Sequence, residues 1–382
     1  MRRHHVVVFA AAMCAPIVLA LGTLRAEIPG IGVAPDQPSW NPKAAAAYLD
    51  GRAAWWTTWP NAARDHGTFC VSCHTGAPYM LARPALRRPL GERDRSAPEV
   101  KIAENVAKRV SMWRDVAPLY PDQTAGLPKT SESRGTESII SALVLSIRDA
   151  EAGRPSDELR TAFANMWALQ MKRQALAGAW AWLNFHYEPW ESDDAPYFGA
   201  TLAALAVGMA PGAYADSADI QENLKLLRAY LQKEYDRQTL FNKTMALLAS
   251  VRLPDVLDAA QRAALVDAAF AKQQDDGGWS MASLGAWKRI DGSALDTRSD
   301  GYGTGVIAFA LQQGGVPASN PKLAKALDWL RRNQDPTTGQ WSASSLNKQR
   351  DPASDVGKFM SDAATAYAVL ALTQPANSKS DF

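Results

Sequence analysis

Cysteine is scarce in this sequence, and neither sign of charge dominates it. Only three of the 382 residues are cysteine, which excludes the dense disulfide framework of small secreted domains. The 41 basic and 39 acidic residues nearly cancel, so the chain lacks the basic face that nucleic-acid binding demands. No convincing alternation typical of β-strands is present. We therefore expect a helical protein that does not bind nucleic acid.

The first 26 residues have the pattern of a secretory signal. A basic start, Arg2 to His5, precedes an apolar run over residues 6–21 and small residues suited to cleavage near Gly22 or Ala26. An uncleaved anchor is the alternative, because the run is near the lower limit for spanning a bilayer. The pattern predicts an exported protein, periplasmic or secreted, with membrane contact only through this segment if it is uncleaved.

Helical periodicity dominates the chain beyond residues 27–42, which are rich in proline and glycine and predict an extended N-terminal arm. Amphipathic helices alternate with more uniformly apolar ones at a period of roughly fifty to sixty residues. The resulting six pairs begin near Lys43, Ala97, Ser156, Ser217, Pro254 and Pro321. Because each pair buries its apolar face only against neighbours, we predict an all-α fold. Its architecture would be a single (α/α)6 toroid over residues 43–373, followed by a tail at 374–382.

Three connections between paired helices share a spacing of glutamine, glycine and tryptophan. They are Gln174-x3-Gly178-x-Trp180, Gln273-x3-Gly277-x-Trp279 and, with one inserted residue, Gln334 followed by Gly339-x-Trp341. These turns resemble the QW motifs of squalene-hopene cyclases and related terpenoid cyclases, whose α/α toroid is also used by protein prenyltransferases. The resemblance implies a toroid whose central cavity binds an isoprenoid or another apolar ligand.

The segment Cys70-Val71-Ser72-Cys73-His74 matches C-x-x-C-H, the pattern of covalent c-type haem attachment. Two thiols three residues apart can each form a thioether with a haem vinyl group, while the adjacent imidazole ligates the iron. Competing interpretations are a zinc site, with His66 as the fourth nominal ligand, and a plain thiol pair or disulfide. The motif predicts haem c as the cofactor, with zinc as the alternative.

A sixth iron ligand would decide between electron transfer and an open iron that binds small molecules. We expect His186 in this role, because its long loop ends on the rim that carries Cys73. An open site is the main alternative. The remaining candidates are His66, Met80, Met112, Met166 and Met171.

Acidic residues precede or begin several of the predicted inner helices: Glu191, Asp193, Asp194, Asp300 and Asp362. If the toroid forms, they lie on the same rim as the cysteine motif. One interpretation is helix capping; the other is that a carboxylic acid protonates an isoprenoid alkene or epoxide. Glu191-Ser192-Asp193-Asp194-Ala195 resembles the D-x-D-D-T-A acid motif of hopene cyclases. That resemblance makes Glu191, Asp193 and Asp194 the candidate catalytic residues.

An aromatic cluster close to these acids allows three interpretations. Its rings could stabilise a carbocation, pack in the core or contact haem. The cluster comprises Trp180, Trp182, Phe185, Tyr187 and Trp190.

Two functional hypotheses follow from the sequence. The first is an exported cyclase-like toroid that carries one covalent haem and has a redox or electron-transfer role, with a redox partner protein. The second is a terpenoid cyclase or isomerase in which the cysteine motif is structural or binds zinc. A non-catalytic scaffold for a lipid or a partner is a third, because a fold alone does not establish a function.

Overall fold

The structure, a computed structural model, describes residues 39–122 and 128–374. The predicted signal segment, residues 27–38 of the predicted arm and residues 375–382 of the tail lie outside the described residues. None of the helices in the described ranges is both long and apolar enough to cross a bilayer.

Twelve α-helices in these ranges form six consecutive outer–inner pairs that close into a ring. The outer helices are α1 (Pro42–Trp56), α3 (Ala97–Ser111), α5 (Asp157–Leu169), α7 (Gln221–Glu234), α9 (Ala259–Ala271) and α11 (Pro321–Arg332). The inner helices are α2 (Ala77–Leu90), α4 (Lys129–Ala150), α6 (Ala195–Met209), α8 (Leu240–Arg252), α10 (Gly301–Gln313) and α12 (Phe359–Leu372). Each inner helix packs on the next, and α12 packs on α2. The predicted (α/α)6 toroid is confirmed.

The two helix types differ as the apolar patterns predict. Outer helix α11 buries a single stripe that includes Leu323, Leu327 and Leu330, whereas inner helix α6 is buried almost all round because it has neighbours on every side. A short hairpin, which the sequence patterns did not predict, lies between α1 and α2. Its strands are β1 (Ala63–Arg64) and β2 (Thr68–Phe69).

A tryptophan and a glycine close three of the outer-to-inner connections. Each tryptophan donates from Nε1 to a carbonyl near the end of its outer helix, at 2.6–2.7 Å. Each glycine has a positive φ of 79–98°, and an added Cβ would lie 2.1–2.8 Å from a carbonyl oxygen of the next outer helix. Only glycine fits both conditions. The tryptophans are Trp180, Trp279 and Trp341, and the glycines are Gly178, Gly277 and Gly339.

The glutamine of the third pair is Gln170 rather than the predicted Gln174. Gln170 Nε2 donates to the carbonyls of Gly178 and Asn223 at 3.1 and 3.0 Å, which ties the turn to α7. In the fifth and sixth pairs the equivalent bonds come from the predicted glutamines. Gln174 is exposed and has a φ of 66°. One of the three QW-like spacings therefore matches only by coincidence.

The last of these glutamines joins the two ends of the ring. Gln334 Nε2 donates to the Asn41 carbonyl at 3.0 Å, and the Asn41 N–H donates back to Gln334 Oε1 at 2.6 Å. Asn41 also caps α1, because its side chain accepts a hydrogen bond from the Ala44 N–H. The first and sixth pairs are thus held together by polar contacts at the cap.

Aromatic side chains fill the centre of the ring. Tyr302 stacks on Tyr367 and Trp190 at centroid distances of 5.6 and 5.8 Å, and it packs edge-on against Phe241 at 5.8 Å. Near the C-terminal ends of the inner helices, an apolar cavity lined by Tyr367 and Phe309 has a volume of about 60 Å³. Small-molecule sites commonly occupy about 300–1,000 Å³. That apolar cavity therefore offers too little room for a terpenoid substrate.

Candidate functional site

The cysteine motif lies in the turn that leads into the first inner helix. Cys73 and His74 belong to a single wide turn, Ser72–Gly76, that runs directly into α2. The Ser72 hydroxyl accepts two N–H hydrogen bonds within this turn, at 3.1 and 3.0 Å. Cys73 is buried, whereas Cys70 and His74 are half-buried.

His74 packs among aromatic rings at the mouth of the toroid. Its ring stacks on Phe359 at a centroid distance of 3.9 Å and meets Trp56 edge-on at 5.0 Å. Burial, together with the charges of Arg52 and Arg350, lowers the pKa of His74 to about 3. The imidazole is therefore neutral at physiological pH.

A hydrogen-bond chain fixes the tautomer of this imidazole. The Thr75 hydroxyl donates its hydrogen to Asp362 Oδ2 at 2.7 Å, so its oxygen must accept the contact with His74 Nδ1 at 2.9 Å. Nδ1 thus carries the hydrogen, and Nε2 keeps its lone pair. Asp362 is also bound by Arg52 Nε at 2.8 Å and by the Tyr48 hydroxyl at 2.9 Å. Asp362, predicted as a rim acid, therefore anchors α12 to α1 and to the cysteine turn.

The two thiols line a small space, which we call the thiol cavity, with Glu191 and Arg109 among its other lining residues. Its volume of about 30 Å³ has room for about one water molecule. The thiol cavity is therefore too small to hold a porphyrin. Haem attachment at these cysteines stays a prediction of the sequence motif.

The described residues do not assemble a metal site from the motif. No group of three or more His, Cys, Asp and Glu side chains in the described ranges could hold a metal ion. His66, the fourth nominal zinc ligand, is instead 3.7 Å from the Asp65 carboxylate with its side chain 45% exposed. Zinc binding likewise stays a prediction of the motif.

Glu191 alone among the three candidate catalytic acids lines the thiol cavity. Its carboxylate has no hydrogen-bond partner among the described residues. Burial raises the pKa of Glu191 to about 7, with Lys129 opposing. Burial also raises the pKa of the Cys73 thiol, and Glu191 and Cys70 raise it further. This carboxyl group can therefore gain or lose a proton close to neutral pH.

The other two candidate acids lie elsewhere. Asp193 is 82% exposed and lies 3.2 Å from Nδ1 of His186, the predicted sixth ligand, which is 77% exposed. Asp194 Oδ2 accepts a hydrogen bond from Asn242 at 2.9 Å. The described contacts thus place His186 beside Asp193, not beside His74. Of the methionine candidates, Met80 and Met166 are buried, and Met112 and Met171 are half-buried.

The aromatic cluster has structural contacts throughout. Trp182 Nε1 donates to the Trp190 carbonyl at 2.7 Å, and Trp190 Nε1 donates to the Tyr302 hydroxyl at 3.0 Å. Phe185 packs edge-on against Tyr120 at a centroid distance of 5.1 Å. Packing is thus the interpretation that these rings support.

The largest cavity that we describe is polar and lies between the fifth and sixth pairs. This polar cavity has a volume of about 830 Å³ and is lined by loop residues 274–300 and 340–361 and by the C-terminal end of α11. Its charged residues are Asp276, Asp296, Asp300, Arg289, Arg298 and Arg350. Trp329, four amide side chains and several serines complete the lining. Such a lining suits a ligand that is rich in hydroxyl groups and carries charge.

Asp300 is positioned in the polar cavity by its role as the N-cap of α10. Its Oδ1 accepts hydrogen bonds from the N–H groups of Tyr302 and Gly303, and its Oδ2 accepts one from Met281 at 2.6 Å. Burial nevertheless raises the pKa of Asp300 to about 7. Both the protonated and the ionised forms are therefore populated near neutral pH.

The other two carboxylates in the polar cavity stay ionised. Hydrogen bonds from Arg298 lower the pKa of Asp296. Although burial opposes it, hydrogen bonds from Gly278, Ser299 and Trp329 lower the pKa of Asp276. The cavity thus holds one acid that is protonated in part, Asp300, next to carboxylates that are not.

Two further side chains in the polar cavity have polar groups left unpaired. Arg350 is half-buried and has no hydrogen bond or ion pair among the described residues. Gln340 Oε1 is buried and has no hydrogen-bond partner there either. A buried polar atom without a partner costs free energy, so a ligand that bonds to Gln340 Oε1 would remove that cost, and the same ligand could pair with the Arg350 guanidinium.

Sequence reasoning identified Asp300 as a rim acid and missed the rest of the polar cavity. Its walls are long connections without helical periodicity, in which no residue spacing indicates a site. The available signal was compositional: Ser342, Ser344, Ser345 and Arg350 cluster in the loop before α12.

Comparison with solved structures identifies the fold but not a family. No protein-family model matches the sequence, and no curated protein matches it. Unsaturated glucuronyl hydrolase from Bacillus sp. GL1, described as responsible for glycosaminoglycan degradation, superposes with a TM-score of 0.50 at 8% identity, covering 86% of this chain and 93% of that chain. A UGL variant with dGlcA-Glc-Rha-Glc gives 0.49 at 10% identity, with coverages of 86% and 93%. A possible GH105 member from Salmonella enterica gives 0.33 at 12% identity, with coverages of 87% and 82%. At 8% identity the first likeness establishes a shared fold alone.

The resemblance to terpenoid cyclases and protein prenyltransferases is wrong. The solved structure that superposes with a TM-score of 0.50 is an unsaturated glucuronyl hydrolase, not a terpenoid cyclase. The turns that suggested the resemblance have a local structural cause. Glycine is needed where the chain meets the next outer helix, and tryptophan covers the end of the preceding outer helix. Any toroid of paired helices can meet that requirement in the same way.

Both functional hypotheses drawn from the sequence are corrected as well. A haem-based redox or electron-transfer role is wrong, because the solved structure that superposes at a TM-score of 0.50 is a glucuronyl hydrolase and the thiol cavity of about 30 Å³ is too small for a porphyrin. A terpenoid cyclase or isomerase is wrong, because that solved structure is a glucuronyl hydrolase and aromatic side chains fill the interior of the ring.

Proposed function

We propose that this protein binds an anionic saccharide in the polar cavity and hydrolyses one of its glycosidic bonds. The observation that carries the proposal is a combination of groups in one polar cavity of about 830 Å³. There a partly protonated Asp300 lies with ionised carboxylates and with Arg350, which has no partner among the described residues. The volume is in the range of small-molecule sites of about 300–1,000 Å³.

Most glycoside hydrolases use two carboxyl groups in different protonation states. In this proposal Asp300 donates its proton to the leaving-group oxygen as the C–O bond breaks. Ionised Asp296 accepts a proton from the water that forms the new bond to the sugar carbon. Asp296 is close enough for its charge to act on Asp300. Solvent then restores both protonation states, and the net reaction consumes one water.

In this proposal Arg350 binds the negative charge of the saccharide. Arg350 lines the polar cavity and has no partner among the described residues, and a planar guanidinium matches a carboxylate or a sulfate in a bidentate geometry. Gln340 Oε1 offers an unpaired acceptor for a hydroxyl group. The substrate class that fits is an oligosaccharide with a uronic acid or sulfated unit. The glucuronyl hydrolase that shares the fold, active in glycosaminoglycan degradation, supports this choice.

The test is a turnover assay on the full chain with uronate-containing, sulfated and neutral oligosaccharides, read by release of reducing ends. Asp300→Asn keeps an oxygen that can cap α10 but removes the acidic proton, so we expect activity to fall by about 10²-fold or more. The matched control is Asp157→Asn, whose side chain is 98% exposed at the start of α5. Control activity should equal that of wild type.

Absence of turnover on every saccharide class would overturn the hydrolase proposal. Equal activity of Asp300→Asn and wild type would remove Asp300 from the mechanism. Turnover of neutral saccharides alone would contradict the role of Arg350.

A further inference from the structure

Two of the three arginines that line the polar cavity make no ion pair among the described residues. Arg298 is paired, because its Nε and Nη2 donate to the Asp296 carboxylate at 3.1 and 2.7 Å. Arg350 has no hydrogen bond or ion pair. Arg289 bonds to carbonyl and hydroxyl oxygens but to no carboxylate. Two guanidinium charges at this cavity are therefore without a carboxylate partner.

Hydrogen bonds to the backbone hold the Arg289 guanidinium in one orientation. Its Nε donates to the Ser345 carbonyl at 2.9 Å, and its Nη1 donates to the Ala294 carbonyl at 2.7 Å. A longer contact of 3.5 Å joins Nη1 to the Ser293 hydroxyl. A guanidinium has five N–H donors, and none of these three contacts uses Nη2. Arg289 is thus half-buried and fixed by the protein, with both Nη2 donors unbound among the described residues.

The loop of Arg289 runs directly beside the loop of Arg350. Three consecutive residues of the first loop bond to alternate residues of the second, at 2.7–2.9 Å. The bonded pairs are Arg289–Ser345, Ile290–Asn347 and Asp291–Gln349. Arg350 follows the last pair directly, so both arginines belong to one wall of the polar cavity.

Asn347 fastens this wall to the loop of the third pair. Its Oδ1 accepts a hydrogen bond from the Glu188 N–H at 2.7 Å, and its Nδ2 donates to the Glu188 carbonyl at 2.8 Å. The wall is therefore bonded to both neighbouring loops. The fold thus sets the positions of the Arg289 and Arg350 loops before a ligand binds, which lowers the cost of ordering them.

We propose that Arg289 is a second anion-binding residue, and that the polar cavity selects a saccharide with two negative charges over one with a single charge. Two like charges on one wall repel each other, and a ligand with two anionic groups neutralises both. The ligand class is an oligosaccharide with a uronate on one unit and a second anionic group, a sulfate ester or another uronate, on a neighbouring unit. This inference rests on the proposed function, because the ligand and the cavity are the same.

Lys288 provides a matched control for Arg289. Its side chain is exposed and does not line the polar cavity. Lys288→Gln and Arg289→Gln each remove one positive charge from neighbouring positions of the same loop. Only the second change removes a charge that lines the cavity.

The experiment is calorimetric titration of the full chain carrying Asp300→Asn, which should bind the saccharide without turning it over. The titrants are a disaccharide with one hexuronate and the same disaccharide with a sulfate ester on its other unit. We expect the sulfate to strengthen binding at least about tenfold, because it gains a charge-assisted contact. Adding Arg289→Gln should remove this gain and change the affinity for the unsulfated disaccharide less than about threefold. Adding Lys288→Gln should leave the gain intact, because salt screens an exposed charge.

Equal affinity for the two disaccharides would overturn the selection for two charges and leave the proposed function standing. Equal losses for both titrants in Arg289→Gln would show that Arg289 only supports its loop, which would overturn its binding role. Absence of binding by either disaccharide would contradict the proposed function and this inference with it. If Arg289→Gln does not fold, phenylglyoxal labelling of the Asp300→Asn chain decides. The sulfated disaccharide should then protect Arg289 from modification, and no protection would contradict the contact.

Discussion

Thr75 donates a 2.7 Å hydrogen bond to Asp362 across 287 positions of the sequence, from the turn before α2 to the first turn of α12. Through that bond the closing contact of the ring also determines which nitrogen of His74 carries the hydrogen. The Asp362 carboxylate therefore links the closure of the ring to the tautomer of His74.

The tautomer of His74 can be observed directly. We expect nitrogen NMR to show a neutral ring with hydrogen on Nδ1 at pH 5, because burial lowers the pKa of His74 to about 3. Thr75→Ser keeps the acceptor and should preserve this signature. Thr75→Val removes it and should shift the ring towards the Nε2–H form. A protonated ring at pH 5 would contradict the arrangement.

The free energy of unfolding should depend on pH through His74. The folded-state pKa of His74 is below its unfolded value of about 6.5, so the unfolded chain binds the proton more readily. The contribution of the neutral His74 ring to the free energy of unfolding is complete above about pH 6.5 and is lost as the pH falls towards 3. His74→Gln should lose less stability than wild type over this interval, as measured by urea unfolding. Parallel curves would contradict the prediction.

Removing the Asp362 charge should be costly. The Arg52 and Asp362 side chains are only 8% and 1% exposed, so Asp362→Asn leaves the buried guanidinium with only the half-exposed Asp355 carboxylate as counter-charge. We expect the free energy of unfolding to fall by about 3–5 kcal/mol. The surface pair Arg331–Asp328 is the control, and Asp328→Asn should cost at most about 1 kcal/mol. Similar losses in both variants would show that burial is not the cause.

Gln170 and Gln174 lie in the same turn, but only Gln170 makes the hydrogen bonds that the motif predicts. Gln170→Ala should cost about 1–3 kcal/mol, because it removes the side-chain donor to the buried Gly178 carbonyl and to the half-buried Asn223 carbonyl. Gln174→Ala, which fits the predicted motif equally well, should change stability by no more than about 0.5 kcal/mol. Denaturant midpoints at constant m-value measure both. A larger effect at Gln174 would reverse the assignment.

The repeated pairs were predictable because helical periodicity and turn glycines are local properties. Gly178, for example, must meet the next outer helix wherever the chain runs in this order. The prediction for Gln174 was wrong because residue spacing alone does not indicate which side chain reaches the carbonyls. The polar cavity was not predictable, since Arg350 and Asp300 lie 50 positions apart in different loops. Only the closed ring brings them to one cavity.

Calorimetric titration tests the central claim most directly. The titrant is an oligosaccharide with a terminal hexuronate, and the protein is Asp300→Asn, which binds but should not turn it over. We predict saturable binding that weakens at least about tenfold in the Asp300→Asn, Arg350→Gln double variant, because the charge-assisted contact is worth about 1.5–3 kcal/mol. Adding the exposed control change Arg154→Gln instead should leave affinity unchanged. Absence of binding, or equal affinity for the neutral analogue, would contradict an anionic-saccharide site in the polar cavity.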